Sequence, residues 1–186
     1  MDPFEQIKAR RDRPFPDVDL SQGRNIAYSR SMTSRIVELI DGNGHGNIHG
    51  GVILRMVDEA AAIVAMRHSQ RPVVTARIER FDFFAPAYIG NLVSVHCSMN
   101  YVGRTSMEVG VVVMAEDLLK GGVRKIASSQ VIYVALDEQK RPTPVPPLIP
   151  ADAEEAAHIE KARMRREQMR KLDEEFAKLQ QEMPEM

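Results

Sequence analysis

The chain has 186 residues, of which 27% are charged, with 25 Lys+Arg against 26 Asp+Glu and a formal net charge of -1. That length allows one domain with a real core plus an appendage. A balance this even excludes a global field drawing the chain to nucleic acid or to a membrane surface, and the single cysteine, Cys97, excludes an internal disulfide framework.

The N-terminal segment "MDPFEQIKARRDRPF" is charged and has no apolar stretch of the secretory type. No run anywhere approaches the roughly 20 apolar residues of a membrane span. The expectation is a cytoplasmic protein, and a lone cysteine fits a reducing compartment. Residues 1–30, with Pro3, Pro14 and Pro16, read as an arm holding at most one short helix. "TSRIVELI" (Thr33–Ile40) alternates well enough for a strand, and Gly42–Gly51 is a loop. From Val52 to Met66 the apolar positions Val52, Ile53, Met56, Val57, Ala60, Ala61 and Val64 follow helical spacing. They cover most of the circumference, which is the mark of a buried helix. Arg55 and the pair Asp58-Glu59 interrupt them.

Four long, β-branched, partly alternating runs come next: Val73–Phe84, Asn91–Val102, Thr105–Asp117 and Val123–Asp137. Gly103-Arg104 suits a tight hairpin between the second and third, and Lys120–Gly122 marks a turn before the fourth. One buried helix among antiparallel strands predicts an α+β domain in which a curved sheet wraps the helix. "RPTPVPPLIP" (Arg141–Pro150) is extended and ends the sheet. From Ala151 to about Met183 the chain is charged and helical. It carries the narrow stripe Ile159, Ala162, Met169, Leu172, Phe176 and Leu179, suited to docking on the domain or on a second subunit. The expected organisation is an arm at 1–30, a domain at 31–150 and a helical extension at 151–186.

The stretch "GNGHGNIHGG" (Gly42–Gly51) invites three readings. A phosphate loop needs G-x-x-x-x-G-K-[ST], and no lysine follows Gly51. A dinucleotide fingerprint needs glycines at spacings of two and three; Gly44, Gly46 and Gly50 stand at two and four, without alternating strands and helices. His45, His49 and His68 lack metal-ligand spacing, and Cys97 stands alone, so no metal is expected. A G-x-S-x-G nucleophile elbow is absent.

There remains an acid inside an apolar helix. Burying a carboxylate costs several kcal/mol unless it is paired or hydrogen-bonded. Asp58 and Glu59 point about 100° apart around the helix, so they are not a dyad. Either acid could serve an ion pair, with Arg55 the nearest base, or do chemistry. A helix that starts at Gly50-Gly51 presents free N–H groups at its positive end, and glycine lets a carbonyl oxygen approach them. A carbonyl held there, with a carboxylate to act on water, is acyl-transfer chemistry.

Four blocks in one order resemble the hotdog-fold acyl-CoA thioesterases, the acyl-CoA hydrolase family. They are "NGHGNIHGGVILRMVDEAAAI" (Asn43–Ile63), "VVTARIERFDFFAPAYIGNLV" (Val73–Val93), "YVGRTSMEV" (Tyr101–Val109) and "VALDEQKRPTPVPPL" (Val134–Leu148). The resemblance spans about Thr33 to Leu148. It implies a single hotdog domain, α+β, with a long central helix wrapped by a curved antiparallel sheet; residues 1–30 and the charged C-terminal helix fall largely outside it. It also implies hydrolysis of acyl-CoA to free acid and CoA, with Asp58 as general base or nucleophile. Asn47 of a partner subunit would orient substrate or water, and the N–H near Gly51 would hold the thioester oxygen. The CoA moiety would lie along Val74, Thr75 and Ala76 and the hairpin Gly103, Arg104, Thr105 and Ser106. The basic run Lys161, Arg163, Arg165, Arg166, Arg170 and Lys171 could add phosphate contacts or form a solvated face. The implied assembly is a homodimer of hotdogs, in a trimer of such dimers, with acyl-CoA as substrate and no separate cofactor. A hotdog hydratase using His49, or an acyl-CoA-binding module without activity, are the competing readings. The segment "LIDGN" (Leu39–Asn43) departs from the family by lacking a proline before Asn43.

Overall fold

The computed structural model describes residues 14–182, the last three by backbone alone, together with Asp2 and Glu5. The remainder of the expected arm (residues 1, 3, 4 and 6–13) lies outside the described residues. In chain order the elements are helix α1 (Ile26–Ser29), strand β1 (Ser31–Ile36), a 3-10 turn (Leu39–Asp41), helix α2 (Gly50–Ser69), strands β2 (Val73–Phe83), β3 (Leu92–Val102), β4 (Ser106–Glu116) and β5 (Val123–Ala135), and helix α3 (Ala153–Glu182).

All strand pairs are antiparallel, and the sheet runs β1-β3-β4-β5-β2. The inward positions of the strands, among them Val93, Val95, Val109, Val111, Val113 and Val131, close over Val57, Ala60, Ala61, Val64 and Ala65 of α2. Small residues on α2 let the sheet come close, and β-branched residues suit the pleated surface that covers it. This is the helix-in-sheet arrangement expected of the sequence.

The strand expected to run to Ile40 stops at Ile36. The Asp41 carboxylate accepts from the Glu38 N–H and pairs with Arg35, and these local bonds turn the backbone into the 3-10 segment. Leu39 and Ile40, which look like core residues by hydropathy, are 82% and 86% exposed. Helix α2 begins two residues before its expected start and ends three residues beyond its expected end. Its last turn is satisfied by the Arg24 guanidinium, which donates to the Arg67 and His68 carbonyls and so ties the N-terminal segment to the domain.

Helix α3 crosses the outer face of the sheet, the face turned away from α2. Its ties run from one side of the sheet to the other: His158 to Asn100 of β3, Arg165 to Glu108 of β4, Arg166 to Glu79 of β2, and Asp173 to Arg77 of β2. Glu108 and Glu79 are buried under the helix and would be costly there without these guanidinium partners. The expected basic run is thereby largely consumed. Arg163 pairs with Glu160, Arg170 with Glu174 and Lys171 with Glu167, leaving Lys161 without an ion pair among the described residues. The alternative of a structural helix face fits this run better than phosphate binding does.

Candidate active site

Asp58 is partly buried in the middle of α2, under the β2–β5 side of the sheet. The register sets Thr75 of β2 opposite Tyr133 of β5, and both side chains reach the same carboxylate. Thr75 Oγ1 donates to Asp58 Oδ1 at 2.6 Å, and the Tyr133 hydroxyl lies 3.0 Å from Oδ1 and 2.7 Å from the Asp58 carbonyl oxygen. Two hydroxyl donors thus hold one carboxylate oxygen, and Oδ2 makes no bond to any described residue. Burial, and then the Asp58 charge and the hydrogen bond to it, push the Tyr133 phenol well above its ordinary value, so it stays a donor through the alkaline range. The ion pair considered from sequence falls to the other acid: Glu59 lies 3.9 Å from Arg55, both side chains exposed.

The loop before α2 is organised by asparagines. Asn43 Oδ1 accepts from the His45 N–H at 2.8 Å, and Asn43 Nδ2 donates to Asn47 Oδ1 at 2.5 Å. The Asn43 backbone N–H is satisfied by the Asn47 carbonyl. With its amide oxygen engaged, Asn47 has its NH2 left to offer, and it lines a pocket of about 260 Å³ with Gly50, Ile53 and Phe83. His49, which the sequence offers only to the competing hydratase reading, caps the helix: its Nδ1 accepts from the Gly51 N–H at 2.9 Å. The ring is therefore neutral at Nδ1 and carries its proton on Nε2. This qualifies the expectation for Gly51, whose N–H is taken by the His49 ring and would be free for a thioester oxygen only with that ring swung aside. The Gly50 N–H has no acceptor among the described residues.

The expected site residues do not all converge within one chain. Gly51 and Asp58 are seven residues apart on one helix, which sets them about 10 Å apart along its axis. One carbonyl group cannot touch both. The expected CoA residues, by contrast, are brought to one end of the sheet. Val74 of β2 pairs with Val134 of β5, which pairs with Ser106 of β4, so Val74–Ala76 and the Gly103–Ser106 hairpin share a row of the sheet. Thr75 joins the two groups, because it is flanked by Val74 and Ala76 and bonded to Asp58. Arg104 is exposed and its guanidinium has no partner among the described residues. Tyr133 was missed by the sequence reading. The only signal for it is a phenol within the apolar run Val131–Ala135, and a buried phenol needs a hydrogen-bond partner.

Comparison with known proteins places the arrangement. The model of the thioesterase superfamily matches residues 45–121. A Bacillus subtilis protein named as an uncharacterized acyl-CoA thioester hydrolase is 38% identical over 123 residues, covering 66% of this chain and 71% of that protein. The rat cytosolic acyl coenzyme A thioester hydrolase is 32% identical over 147 residues, covering 78% of this chain; the matched part is only 39% of the rat protein. Among solved structures, an apo-hexameric acyl-CoA thioesterase superposes with a TM-score of 0.78 at 38% identity, covering 82% of this chain and 97% of the other. A Staphylococcus aureus acyl-CoA hydrolase solved with butyryl coenzyme A and coenzyme A superposes with a TM-score of 0.75 at 29% identity, covering 87% of this chain and 100% of the other. Solved forms of that hydrolase include ones with an aspartate, a threonine or an asparagine changed to alanine. The chain belongs to the acyl-CoA thioester hydrolases of the thioesterase superfamily.

Proposed function

We propose that this protein hydrolyses acyl-CoA thioesters to a free carboxylic acid and CoA, in a site built by two copies of the chain. The observation that carries the reading is the Asp58 carboxylate, held by Thr75 and Tyr133 on one oxygen with the other unbonded. Asp58 Oδ2 takes a proton from water as the water oxygen attacks the thioester carbonyl. The developing oxyanion is met by N–H groups at the Gly50-Gly51 end of the partner's α2, since the same chain's helix end lies about 10 Å away along the axis. The tetrahedral intermediate then expels CoA as its thiolate, a good leaving group needing little acid assistance. The Asn47 amide, also from the partner, orients the substrate or the water. The residue types changed in the Staphylococcus aureus forms occur here as Asp58, Thr75 and the Asn43–Asn47 pair.

The pairing surface is the β2 edge. β2 is an 11-residue edge strand with no proline or lysine to blunt it, and such an edge is a ready template for a second strand. Joining two copies there makes a continuous sheet, and three such dimers give the hexamer that describes the apo relative. The CoA moiety runs from Thr75 along Val74 and Ala76 to the Gly103–Ser106 hairpin, where the free guanidinium of Arg104 meets a phosphate. CoA is part of the substrate, and no further cofactor enters. A cytoplasmic setting fits a CoA ester as substrate; among the described residues no helix is long and apolar enough to cross a membrane.

The test is release of CoA thiol from short, medium and long acyl-CoAs by the wild-type chain beside Asp58→Ala, Asn47→Ala and Asn43→Ala. The wild type is expected to release thiol and Asp58→Ala to lose at least a hundredfold, the usual scale for a general base. No release from any ester by the wild type would overturn the reading. Single turnover in heavy-oxygen water separates the two roles of Asp58: label in the product alone fits a base, and label in the Asp58 carboxylate shows an anhydride.

A further inference from the structure

Helix α3 is longer than the sheet it crosses. It meets β3 at His158 and reaches the edge strand β2 at Asp173. Those 15 residues span about 22 Å of helix, against about 14 Å for the three strand spacings between β3 and β2, so the crossing is oblique. Beyond Asp173 the helix continues to Glu182, about 13 Å of axis, which at this obliquity reaches about 9 Å past the edge of the sheet. The stripe that faces the sheet through Ala162 and Met169 continues through Leu172 at the sheet edge to Phe176 and Leu179 in the overhang, where no described residue covers it. Leu172 is 45% exposed, Phe176 63% and Leu179 56%. Three large apolar residues at spacings of four and three form one helical seam.

We propose that this overhang is a clasp across the dimer seam, with α3 of a second copy as its occupant. The inference rests on the reading that two copies pair through β2. A two-fold axis at that edge carries each overhang over the neighbouring sheet and lays the two α3 helices antiparallel. The axis falls just beyond Asp173, so Phe176 of each chain sits near its own counterpart and Leu172 faces Leu179 of the partner subunit. The same register brings Lys178, which has no ion pair among the described residues, level with Asp173 and Glu174 of the partner subunit. In this register residues 172–179 of the two copies face each other, and the complementary charges are Lys178 of each chain against Asp173 and Glu174 of the partner subunit, a contact the two-fold axis makes twice. The tether of α3 to its own sheet, through buried Glu79 and Glu108, keeps the seam presented rather than folded back.

The test is disulfide capture in the full-length chain. Cys97 is buried, so Phe176→Cys supplies the one accessible thiol. Mild oxidation of the dimer fraction is expected to give a covalent species of twice 20.9 kDa. The same treatment of Leu119→Cys, at a 97% exposed turn position, is expected to leave single chains. Adding Leu172→Glu and Leu179→Glu to Phe176→Cys is expected to abolish capture, and because all three side chains are exposed the fold is retained. If Phe176→Cys is not captured while the wild type sediments as a dimer or larger, the clasp is wrong and the β2 pairing stands. Equal capture at Leu119→Cys also overturns the clasp. A wild type that sediments as a monomer overturns both.

Discussion

The Tyr133 hydroxyl lies within hydrogen-bond distance of both the Asp58 carboxylate and the Asp58 main-chain carbonyl, so one residue of β5 fixes backbone and side chain of the same acid. Hydrogen bonds to charged groups contribute about 1.5–3 kcal/mol. Tyr133→Phe keeps the ring, which is 1% exposed and part of the core, and removes only the donor. We expect kcat for acyl-CoA hydrolysis to fall roughly tenfold, at about 1.4 kcal/mol per factor of ten, with KM nearly unchanged. A KM that rises as much as kcat falls would show that Tyr133 serves substrate binding instead.

The single thiol is not expected to interfere with a thiol-release assay. Burial pushes the Cys97 thiol up to about 12, and its side chain faces the core between sheet and α2. Native protein mixed with a thiol-reactive dye is expected to give far less than one equivalent at pH 8, and one equivalent after unfolding in urea. Full reaction of the folded chain at mixing speed would contradict its burial.

Why one part of this molecule was legible in its sequence and another was not follows from the range of the forces involved. The buried helix and four of the five strands announce themselves through local periodicity, and their ends moved by at most three residues. β1 is overextended by hydropathy because Leu39 and Ile40 look like core residues, while the decision lies with the Glu38 N–H donating to the Asp41 carboxylate. The acid Asp58 stood out because a charge inside an apolar helix demands a reason. Its supporting hydroxyls did not, because Thr75 and Tyr133 lie 17 and 75 residues away and meet only through the register of β2 on β5. The pairing of the α3 arginines with Glu79 and Glu108 was hidden for the same reason.

Gly110 sits on the outer face of β4 beneath Asn100. A Cβ there would come within 2.5 Å of Asn100 Oδ1 and 2.6 Å of Nδ2. Asn100 cannot yield freely, because its Nδ2 donates to Glu108 and its Oδ1 meets His158 Nε2. Gly110→Ala is expected to destabilise the chain by about 1–3 kcal/mol, the range for overpacking a closed site. The urea midpoint measures it, and an unchanged midpoint would mean that the α3 anchor is slack.

His68 is fully buried at the end of α2, with Nε2 3.0 Å from the Pro146 carbonyl oxygen. Its pKa is held below the ordinary 6.5, first by burial, with the Arg24 charge adding and the Pro146 carbonyl opposing. The unfolded chain therefore takes up this proton before the folded one does. The stability linked to His68 is fully present above about pH 6.5 and is lost as pH falls toward the folded-state value. His68→Gln keeps an N–H donor without the titration. Between about pH 7 and 5 the wild-type urea midpoint is expected to fall more steeply than that of His68→Gln. Parallel curves would count against a neutral buried imidazole.

A site shared between two chains has a consequence that a site within one chain lacks. Asp58→Ala damages the site that uses that chain's own α2, whereas Asn47→Ala damages the site of its partner. In a mixed dimer of the two variants, one site carries both defects and the other carries none. Unfolding the two inactive variants together and refolding them is expected to restore about a quarter of wild-type activity per chain, since about half the dimers are mixed and each holds one intact site. The Asn43→Ala variant in place of Asn47→Ala tells which amide of the bonded pair crosses the seam. If co-refolding restores no activity although mixed dimers form, Asp58 and Asn47 serve the same chain's site, and the roughly 10 Å between Gly51 and Asp58 must then be spanned by the substrate or by water rather than by the second subunit.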